Sequence, residues 1–408
     1  MMRGALLSGR TISETGPEAE AALPPEARAA ARRLAAAGLR HLARADAALK
    51  PHMRSAPPPG ARIVLRLAAT ELMTGGAAHG VVDEAVSAVR ALPGGGPLAG
   101  MTNAVLRRVA DEGRPAWEAA SPNRLPNWIR GRLQGAVGAA RTAAIEAAHD
   151  AGAPLDLTPR DGDADALAAR LGGEALPTGS VRLAAGAQVS ALPGYDEGAW
   201  WVQDAAAALP ARMLGVRPGE AVLDLCAAPG GKTMQLAAAG ARVTAVDASE
   251  ARLERLRENL ARTGLAAEVI AADLMEWAPD APAQAILLDA PCTATGTIRR
   301  HPDLPLARDG DALKRLAARQ ADLLERALGW LAPGGRLVLC TCSLLPEEGE
   351  RLVRGALTRD PGLRVERAVP DGVPADWHAA LGLRTAPDRW PDRGGLDGFF
   401  MARLVRAG

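Results

Sequence analysis

The spacing of hydrophobic and polar positions changes character once, near residue 150. Before that point, apolar residues recur at helical spacing between breaks rich in Gly and Pro. A small all-α domain is therefore predicted over residues 24–150, preceded by a mobile tail at residues 1–23, where Gly, Pro, Glu and Ser mix without period. The predicted helices are residues 26–49, 61–73, 81–92, 98–109 and 127–148.

After residue 150 the chain alternates strand-like and helix-like segments. Residues 151–200 contain short pieces of both kinds and predict a small α/β subdomain. In residues 201–408, runs rich in Val, Ile and Leu alternate with longer amphipathic segments. That alternation predicts a doubly wound, Rossmann-like parallel sheet with ligands at the carboxyl ends of its strands.

The run VLDLCAAPGGKT, residues 222–233, predicts a buried strand, a turn of small residues and the start of a helix. A turn without bulk lets a ligand approach the backbone closely. A phosphate-binding P-loop would need Gly where Cys226 stands, and the dinucleotide pattern GxGxxG is absent. A cofactor with a nucleoside but no phosphate run is favoured, and S-adenosylmethionine fits; an ordinary strand-turn-helix is the alternative.

Four acids follow the predicted strands, namely Asp224, Asp247, Asp273 and Asp289. Asp247 is expected to accept hydrogen bonds from both ribose hydroxyls, and Asp273 to meet the adenine amino group. Each acid alone could be a helix cap. Four at corresponding positions favour a nucleoside site.

Charge and cysteine usage narrow the class of protein. Residues 1–150 carry 19 Lys and Arg against 13 Asp and Glu, a net charge of +6, whereas the whole chain carries +1. This asymmetry favours a polyanion docked by the first domain, although a solvated surface is the alternative. The four cysteines form neither a zinc pattern nor a disulfide framework, so no metal and a reducing compartment are expected. With no apolar stretch near ~20 residues and no signal peptide, a cytoplasmic protein away from membranes is expected.

Two cysteines stand just past predicted strands. Cys292 closes the run Asp-Ala-Pro-Cys that starts at Asp289, and Cys342 lies in Thr-Cys-Ser. Both thiols can converge above the sheet, although small buried hydrophobes are the usual fate of cysteine. A thiolate that adds to C6 of a pyrimidine turns C5 into a nucleophile for a sulfonium methyl group. Asp289 would hold the N3 and amino edge of a cytosine.

Three helical runs in the first domain, RIVLRLAATELM, HGVVDEAVSAVRAL and GMTNAVLRRVAD, resemble the RNA-binding domain of the antitermination factor NusB. The resemblance implies that Arg107 and Arg108 contact RNA phosphates. A generic helical bundle that acts as a spacer is the alternative.

Four later blocks, LDLCAAPGGKT, LLDAPCTATGTIRRHPD, LCTCSLLPEEGE and DGFFMARL, resemble bacterial small-subunit ribosomal RNA cytosine-C5 methyltransferases, the NusB-domain members of the NOL1/NOP2/Sun group. The resemblance implies that Cys342 is the nucleophile and that Cys292 assists product release. Thr293 and Gly349 depart from the family's frequent Ser and Asn. The implied S-adenosylmethionine site comprises Cys226, Ala227, Ala228, Pro229, Gly230, Gly231, Lys232, Asp247, Asp273 and Asp289.

The same resemblance implies a partner and a reaction. The substrate would be small-subunit ribosomal RNA before full subunit assembly, and the enzyme a monomer. Arg299 and Arg300 follow the Cys292 block and are expected to clamp RNA phosphates, with a solvated loop as the alternative. The rival functions are a DNA cytosine methyltransferase and a non-catalytic RNA-binding assembly factor that keeps the fold only for structure.

Overall fold

The computed structural model describes residues 1–406 and divides the chain into two compact units. The first comprises Met1–Gln134, Gly138–Gly152 and Ile298–Asp309, and the second comprises the rest of the chain. Residues 298–309 thus fold with the helical unit, although in sequence they directly follow the Cys292 block. Domain boundaries read from the sequence as continuous stretches could not show this insertion.

The first unit is helical, as the apolar spacing predicts. Its core includes Leu49, Leu65, Leu106, Val109 and Trp117, all buried. The helices are α1 (Met2–Ser8), α2 (Ile12–Glu20), α3 (Pro25–Arg40), α4 (Leu42–Leu49), α5 (Pro59–Met73), α6 (Ala78–Arg90), α7 (Ala99–Glu112), α8 (Arg114–Ala119), α9 (Asn127–Val137), α10 (Ala139–Ala151) and, from the inserted segment, α15 (Leu304–Ala307).

Residues 2–8 and 12–20 are helical, so the prediction of a mobile tail over residues 1–23 is wrong. Thr11 and Glu14 form a reciprocal capping box at the start of α2, which satisfies backbone N–H groups that a short helix otherwise leaves exposed. Met2 and Ala5 of α1 pack against Leu39 of α3. The apolar runs in this segment are short and lack a long-range period, so the sequence pattern does not reveal this packing.

The predicted helix over residues 127–148 is two helices. Gly138 separates α9 from α10 with φ +82° and ψ 166°, a backbone conformation that residues other than glycine rarely adopt. The sequence signal was Gly138 itself, within an otherwise continuous helical pattern.

The second unit begins with a small sheet of order β2-β3-β1-β4 that packs against one helix. A buried ion pair ties it together, because Arg182 donates two hydrogen bonds of 2.7 Å to Asp156. The last strand extends two residues past the predicted boundary at 200. The elements are β1 (Leu155–Pro159), α11 (Ala164–Leu171), β2 (Glu174–Ala175), β3 (Val181–Leu183) and β4 (Trp200–Val202).

The main sheet follows in strand order β11-β12-β13-β9-β8-β5-β6-β7, with β10 paired to β13. Strands β9, β8, β5, β6 and β7 are parallel, as predicted, whereas β13 runs antiparallel to β9. The strands are β5 (Ala221–Leu225), β6 (Arg242–Asp247), β7 (Glu268–Ala271), β8 (Ala283–Asp289), β9 (Leu331–Thr341), β10 (Leu363–Glu366), β11 (His378–Ala379), β12 (Gly382–Arg384) and β13 (Phe400–Arg406).

Helices connect the strands of this sheet and carry their own apolar faces into its core. They are α12 (Leu209–Leu214), α13 (Gly231–Ala238), α14 (Glu250–Thr263), α16 (Gly310–Gly329) and α17 (Glu350–Arg359). Strand order reverses between β5 and β8, which is where open α/β sheets bind ligands. The loops after β5, β6, β8 and β9 therefore meet at one edge of the sheet. Within the described residues, no helix has the length and apolarity needed to cross a membrane.

Candidate active site

The loop between β5 and α13 has a backbone shape that demands small residues. Cys226 takes a φ of +60° and Gly230 a φ of +101°, both in the left-handed region. A Cβ atom on Gly230 would lie 2.8 Å from Cγ of Leu256, closer than packed atoms approach. The loop thus lies tightly against α14 and leaves its outer side bare, as the sequence predicts for close approach of a ligand.

Asp247 ends β6 beside this loop and is almost fully buried. Its Oδ2 accepts the N–H of Ala228 at 3.1 Å, and its Oδ1 accepts the N–H of Ser249 at 3.0 Å. Arg252 lies 3.5 Å away. Each carboxylate oxygen can accept a second hydrogen bond, so Asp247 both shapes the loop and retains capacity for two hydroxyl groups.

Two of the other three strand-end acids, Asp224 and Asp273, have surroundings that differ from those of Asp247. Asp224 is fully buried within β5, where its Oδ2 accepts the Thr233 hydroxyl at 2.6 Å. Asp224 therefore stabilises the loop through its hydrogen bond with Thr233. Asp273 is exposed and accepts the N–H of Met275 and a guanidinium N–H of Arg319, and the first of these contacts chiefly lowers its pKa. Asp273 stays open to a ligand.

Asp289 forms an ion pair that the sequence did not predict. Its Oδ2 lies 2.7 Å from Nζ of Lys232, and Cys340 Sγ lies 3.4 Å from Oδ1. Burial alone would lower the pKa of Lys232, but Asp289 raises it above the ordinary value. The scarcity of lysine, three against 45 arginines, was the sequence signal for a special role of Lys232.

The structure brings Cys292 and Cys342 together, with 3.3 Å between the two sulfur atoms. Both are free thiols and partly exposed. The hydrogen bond to Cys342, together with burial, raises the pKa of Cys292 well above its ordinary value. A backbone hydrogen bond also joins the two loops, because the N–H of Gly296 donates to the carbonyl of Cys342 at 2.9 Å.

The remaining two thiols are in inert settings. Burial raises the pKa of Cys226 to about 12, and burial also raises that of Cys340, which has no exposed surface. A nucleophilic thiol needs a populated thiolate and access to solvent. What distinguishes Cys292 and Cys342 from these two thiols is the 3.3 Å approach of their sulfur atoms.

A fully buried carboxylate, Glu348, lies under the close pair of thiols and was missed by the sequence analysis. It accepts hydrogen bonds from Thr293, Gln320 and Ser343, which belong to three different elements. Buried glutamates are rare unless their oxygens are satisfied. The only sequence signal was the acidic run after Cys342, which resembles a helix start.

The arginines predicted to contact RNA fall into two groups. Arg107 and Arg108 are exposed on α7, and Arg107 donates to Asn103 at 3.1 Å. Arg299, in contrast, is only 1% exposed, and its carbonyl accepts a hydrogen bond from Arg40. The prediction that Arg299 clamps phosphates on the surface is wrong because its side chain is enclosed within the helical unit. Arg300 stays partly exposed.

Comparisons with known proteins agree with both units. The NusB family matches residues 2–111, and the family described as 16S rRNA methyltransferase RsmB/F matches residues 211–405. The fold is thus that of a Rossmann-like methyltransferase with a NusB-like helical domain.

Individual relatives extend this match along the chain. Ribosomal RNA small subunit methyltransferase B of Vibrio vulnificus is 32% identical over 98% of this chain and 96% of that protein. Its counterpart in Pseudomonas putida is 38% identical over 81% of this chain and 78% of that protein. A solved methyltransferase homologue from Pyrococcus horikoshii is 28% identical with a TM-score of 0.56, covering 68% of this chain and 93% of its own. The chain belongs to the RsmB/F family and is a ribosomal RNA methyltransferase.

Asp224 gives a pH prediction for stability. Burial raises its pKa from 3.8 to about 7, and the Thr233 hydrogen bond only partly offsets this. The folded protein therefore keeps a proton that the unfolded chain releases, so this group's contribution to stability falls as pH rises from about 4 to 7. Relative to wild type, Asp224→Asn should gain stability across that window, by at most roughly 1.4 kcal/mol per pH unit.

Urea unfolding of both proteins at several pH values measures this difference. Asp280→Asn, at an exposed position, is the control and should follow the wild-type curve at every pH. Parallel curves for wild type and Asp224→Asn would show that Asp224 is ionised in the folded protein.

Proposed function

We propose that this enzyme transfers a methyl group from S-adenosylmethionine to C5 of a cytosine in small-subunit ribosomal RNA, through a covalent bond between Cys342 and C6 of the base. The observation that carries the proposal is the pair of sulfur atoms 3.3 Å apart, next to the half-buried Asp289 at the carboxyl edge of the sheet. As the family resemblance implies, the substrate is RNA before full subunit assembly and the enzyme a monomer.

The loop after β5 fits S-adenosylmethionine by shape and by hydrogen-bonding capacity. Its left-handed residues, Cys226 and Gly230, keep the outer side of the loop free of bulk. Asp247 offers acceptor capacity to a ribose diol, and the exposed Asp273 offers an acceptor to an amino group. When bound, S-adenosylmethionine supplies an electrophilic methyl group on a sulfonium.

Cys342 is the nucleophile in this proposal. Its thiolate adds to C6 of cytosine, which breaks the C5–C6 double bond and places electron density on C5 and on the N3 edge. C5 can then take the methyl group. The neighbouring thiol of Cys292 supports this role, because an S–H donor 3.3 Å away stabilises a sulfur that carries negative charge.

Asp289 and Lys232 recognise the cytosine and stabilise the adduct. Asp289 is half-buried, and its carboxylate can accept a hydrogen bond from the amino group of the base. Lys232 Nζ lies 2.7 Å from the Asp289 carboxylate and places a positive charge where negative charge develops on the base. A preorganised ammonium in a buried setting is more effective than one in water.

The reaction ends when a base removes the C5 proton and the Cys342–C6 bond breaks. The Cys292 sulfur lies 3.3 Å from the Cys342 sulfur, so we assign Cys292 to this release step. Cys292 is partly exposed and can give its proton to water once Cys342 is bonded to C6; its thiolate then accepts the C5 proton, and its raised pKa makes that thiolate a strong base.

Two other functions remain less well supported. A non-catalytic assembly factor needs no paired thiols and no buried Lys232–Asp289 pair in its sheet edge. A DNA cytosine methyltransferase would place its nucleophile at Cys292, and it would leave the exposed Arg107 and Arg108 of a NusB-like domain without an RNA partner.

Asp247→Ala tests the cofactor site. Losing the carboxylate removes charge-assisted hydrogen bonds, each about 1.5 to 3 kcal/mol, so affinity for S-adenosylmethionine should fall by about tenfold or more. Isothermal titration calorimetry measures the affinity. Glu268→Ala, an exposed acid at the opposite end of the neighbouring strand, is the control and should bind as wild type does. Unchanged affinity in Asp247→Ala would put the ribose elsewhere.

Separate substitutions of the two thiols test the mechanism. Cys342→Ala cannot form the adduct and should lose methyl transfer altogether. Cys292→Ala should still attack and methylate but release slowly, so a protein–RNA adduct should accumulate. A denaturing gel after incubation with ribosomal RNA and S-adenosylmethionine should show a retarded band for Cys292→Ala alone. A trapped adduct with Cys342→Ala alone would falsify the assignment and make Cys292 the nucleophile.

A further inference from the structure

Glu348 is a buried carboxylate whose neighbours are hydrogen-bond donors. Its Oε1 accepts the N–H of Thr293 at 2.8 Å and Nε2 of Gln320 at 3.0 Å. Its Oε2 accepts the hydroxyl of Ser343 at 2.6 Å and the hydroxyl of Thr293. Each oxygen therefore receives two donors, and no ion pair of Glu348 occurs within the described residues.

The direction of these hydrogen bonds follows from the groups behind them. Because Ser343 donates its only hydroxyl proton to Glu348, Thr295 is the donor in the 3.1 Å contact between Thr295 Oγ1 and Ser343 Oγ, and Thr295 Oγ1 accepts the N–H of Leu344 at 3.0 Å. Ser343 Oγ also accepts the N–H of Leu345 at 3.1 Å, which leaves its proton for Glu348. All four donor groups, which belong to Thr293, Gln320 and Ser343, thus donate to the two oxygens of Glu348, and together they fix the position of this carboxyl group.

This carboxylate joins the two cysteine loops. Thr293 directly follows Cys292, and Ser343 directly follows Cys342, so one side chain holds both residues that come after the thiols. Gln320 adds a third tie, because its Nε2 also donates to the carbonyl of Pro291 at 2.8 Å. The backbone on both sides of Cys292 is therefore anchored to the same buried group.

The charge of Glu348 also acts on the thiols. A nearby negative charge disfavours a thiolate, and Glu348 adds to the effects of Cys342 and burial that raise the pKa of Cys292. The titratable groups facing Cys292 are Cys342 and Glu348. Asp289, in the same loop, is paired with Lys232 and with the Cys340 thiol.

We propose that Glu348 is a positioning residue: by anchoring Thr293 and Ser343, the residues that follow Cys292 and Cys342, it sets the spacing of the two sulfur atoms and so maintains the hydrogen bond between them. This inference deepens the proposed function and rests on it. Glu348 touches neither substrate nor cofactor in this account, since it lies buried beneath the loops.

Glu348→Gln tests the proposal with nearly unchanged shape. The amide of the new glutamine side chain would point its NH2 group at two hydrogen-bond donors, and the negative charge of the carboxylate would be lost. Glu347→Gln is the matched control, because Glu347 is adjacent, partly exposed and 3.3 Å from Arg351. We expect Glu348→Gln to lose about tenfold or more in methyl transfer, with unchanged affinity for S-adenosylmethionine, since a lost charged hydrogen bond is of that size.

A second measurement distinguishes positioning of the thiols from a general structural role. The thiols are alkylated with iodoacetamide across a pH series, and mass spectrometry follows the reaction of each cysteine. Glu348→Gln should shift the reaction of Cys292 to lower pH and increase its rate at fixed pH. Glu347→Gln should match wild type. Cys340, which is fully buried, should stay unreactive in all three proteins and thereby reports an intact fold.

The possible outcomes separate the two claims. An unchanged pH dependence of Cys292 in Glu348→Gln with a protected Cys340 would overturn the role of Glu348. Methyl transfer equal to wild type in Glu348→Gln would overturn it as well. A wild-type enzyme that methylates ribosomal RNA at an atom other than C5 of cytosine would contradict the proposed function, and the alkylation series would still decide whether Glu348 sets the spacing of the two thiols.

Discussion

The pairing of β8 with β9 is the constraint on which the site depends. These parallel strands are in register so that Asp289 stands opposite Cys340, and the N–H of Ala290 donates to the carbonyl of Cys340 at 3.0 Å. The loops that carry Cys292 and Cys342 begin just after this pair of residues, at the ends of β8 and β9. A shift of one residue in either strand would turn alternate side chains to the other face. The close approach of the two sulfur atoms is thus a consequence of sheet register, maintained by the loops above.

Much of the fold follows from the sequence because its patterns are local. The helical spacing before residue 150 and the strand alternation after residue 200 both gave the right class of unit. What failed depends on tertiary packing. Residues 2–8 and 12–20 are helical because Met2 and Ala5 find an apolar surface on α3, and residues 298–309 join the first unit although no local signal marks them.

The positions of candidate site residues could be predicted where a residue type and a strand end coincide. Asp247, Asp289, Cys292 and Cys342 all lie at the carboxyl edge of the sheet as expected. Partnerships between distant residues could not be read in this way. Lys232 and Asp289 are 57 residues apart in sequence, and Glu348 contacts Thr293 across 55. Arg299 shows the converse, since a charged residue in a loop looks exposed in sequence and is buried in the structure.

The central claim is that the sulfur of Cys342 bonds to C6 of a cytosine. Ribosomal RNA containing 5-fluorocytidine tests it most directly, because fluorine at C5 cannot leave as a proton does and the adduct cannot be released. After incubation with S-adenosylmethionine, protease digestion and mass spectrometry identify the attached residue in the wild-type enzyme. The account predicts a methylated nucleotide bonded to Cys342. Attachment to Cys292, or no attachment during active methyl transfer, would contradict it.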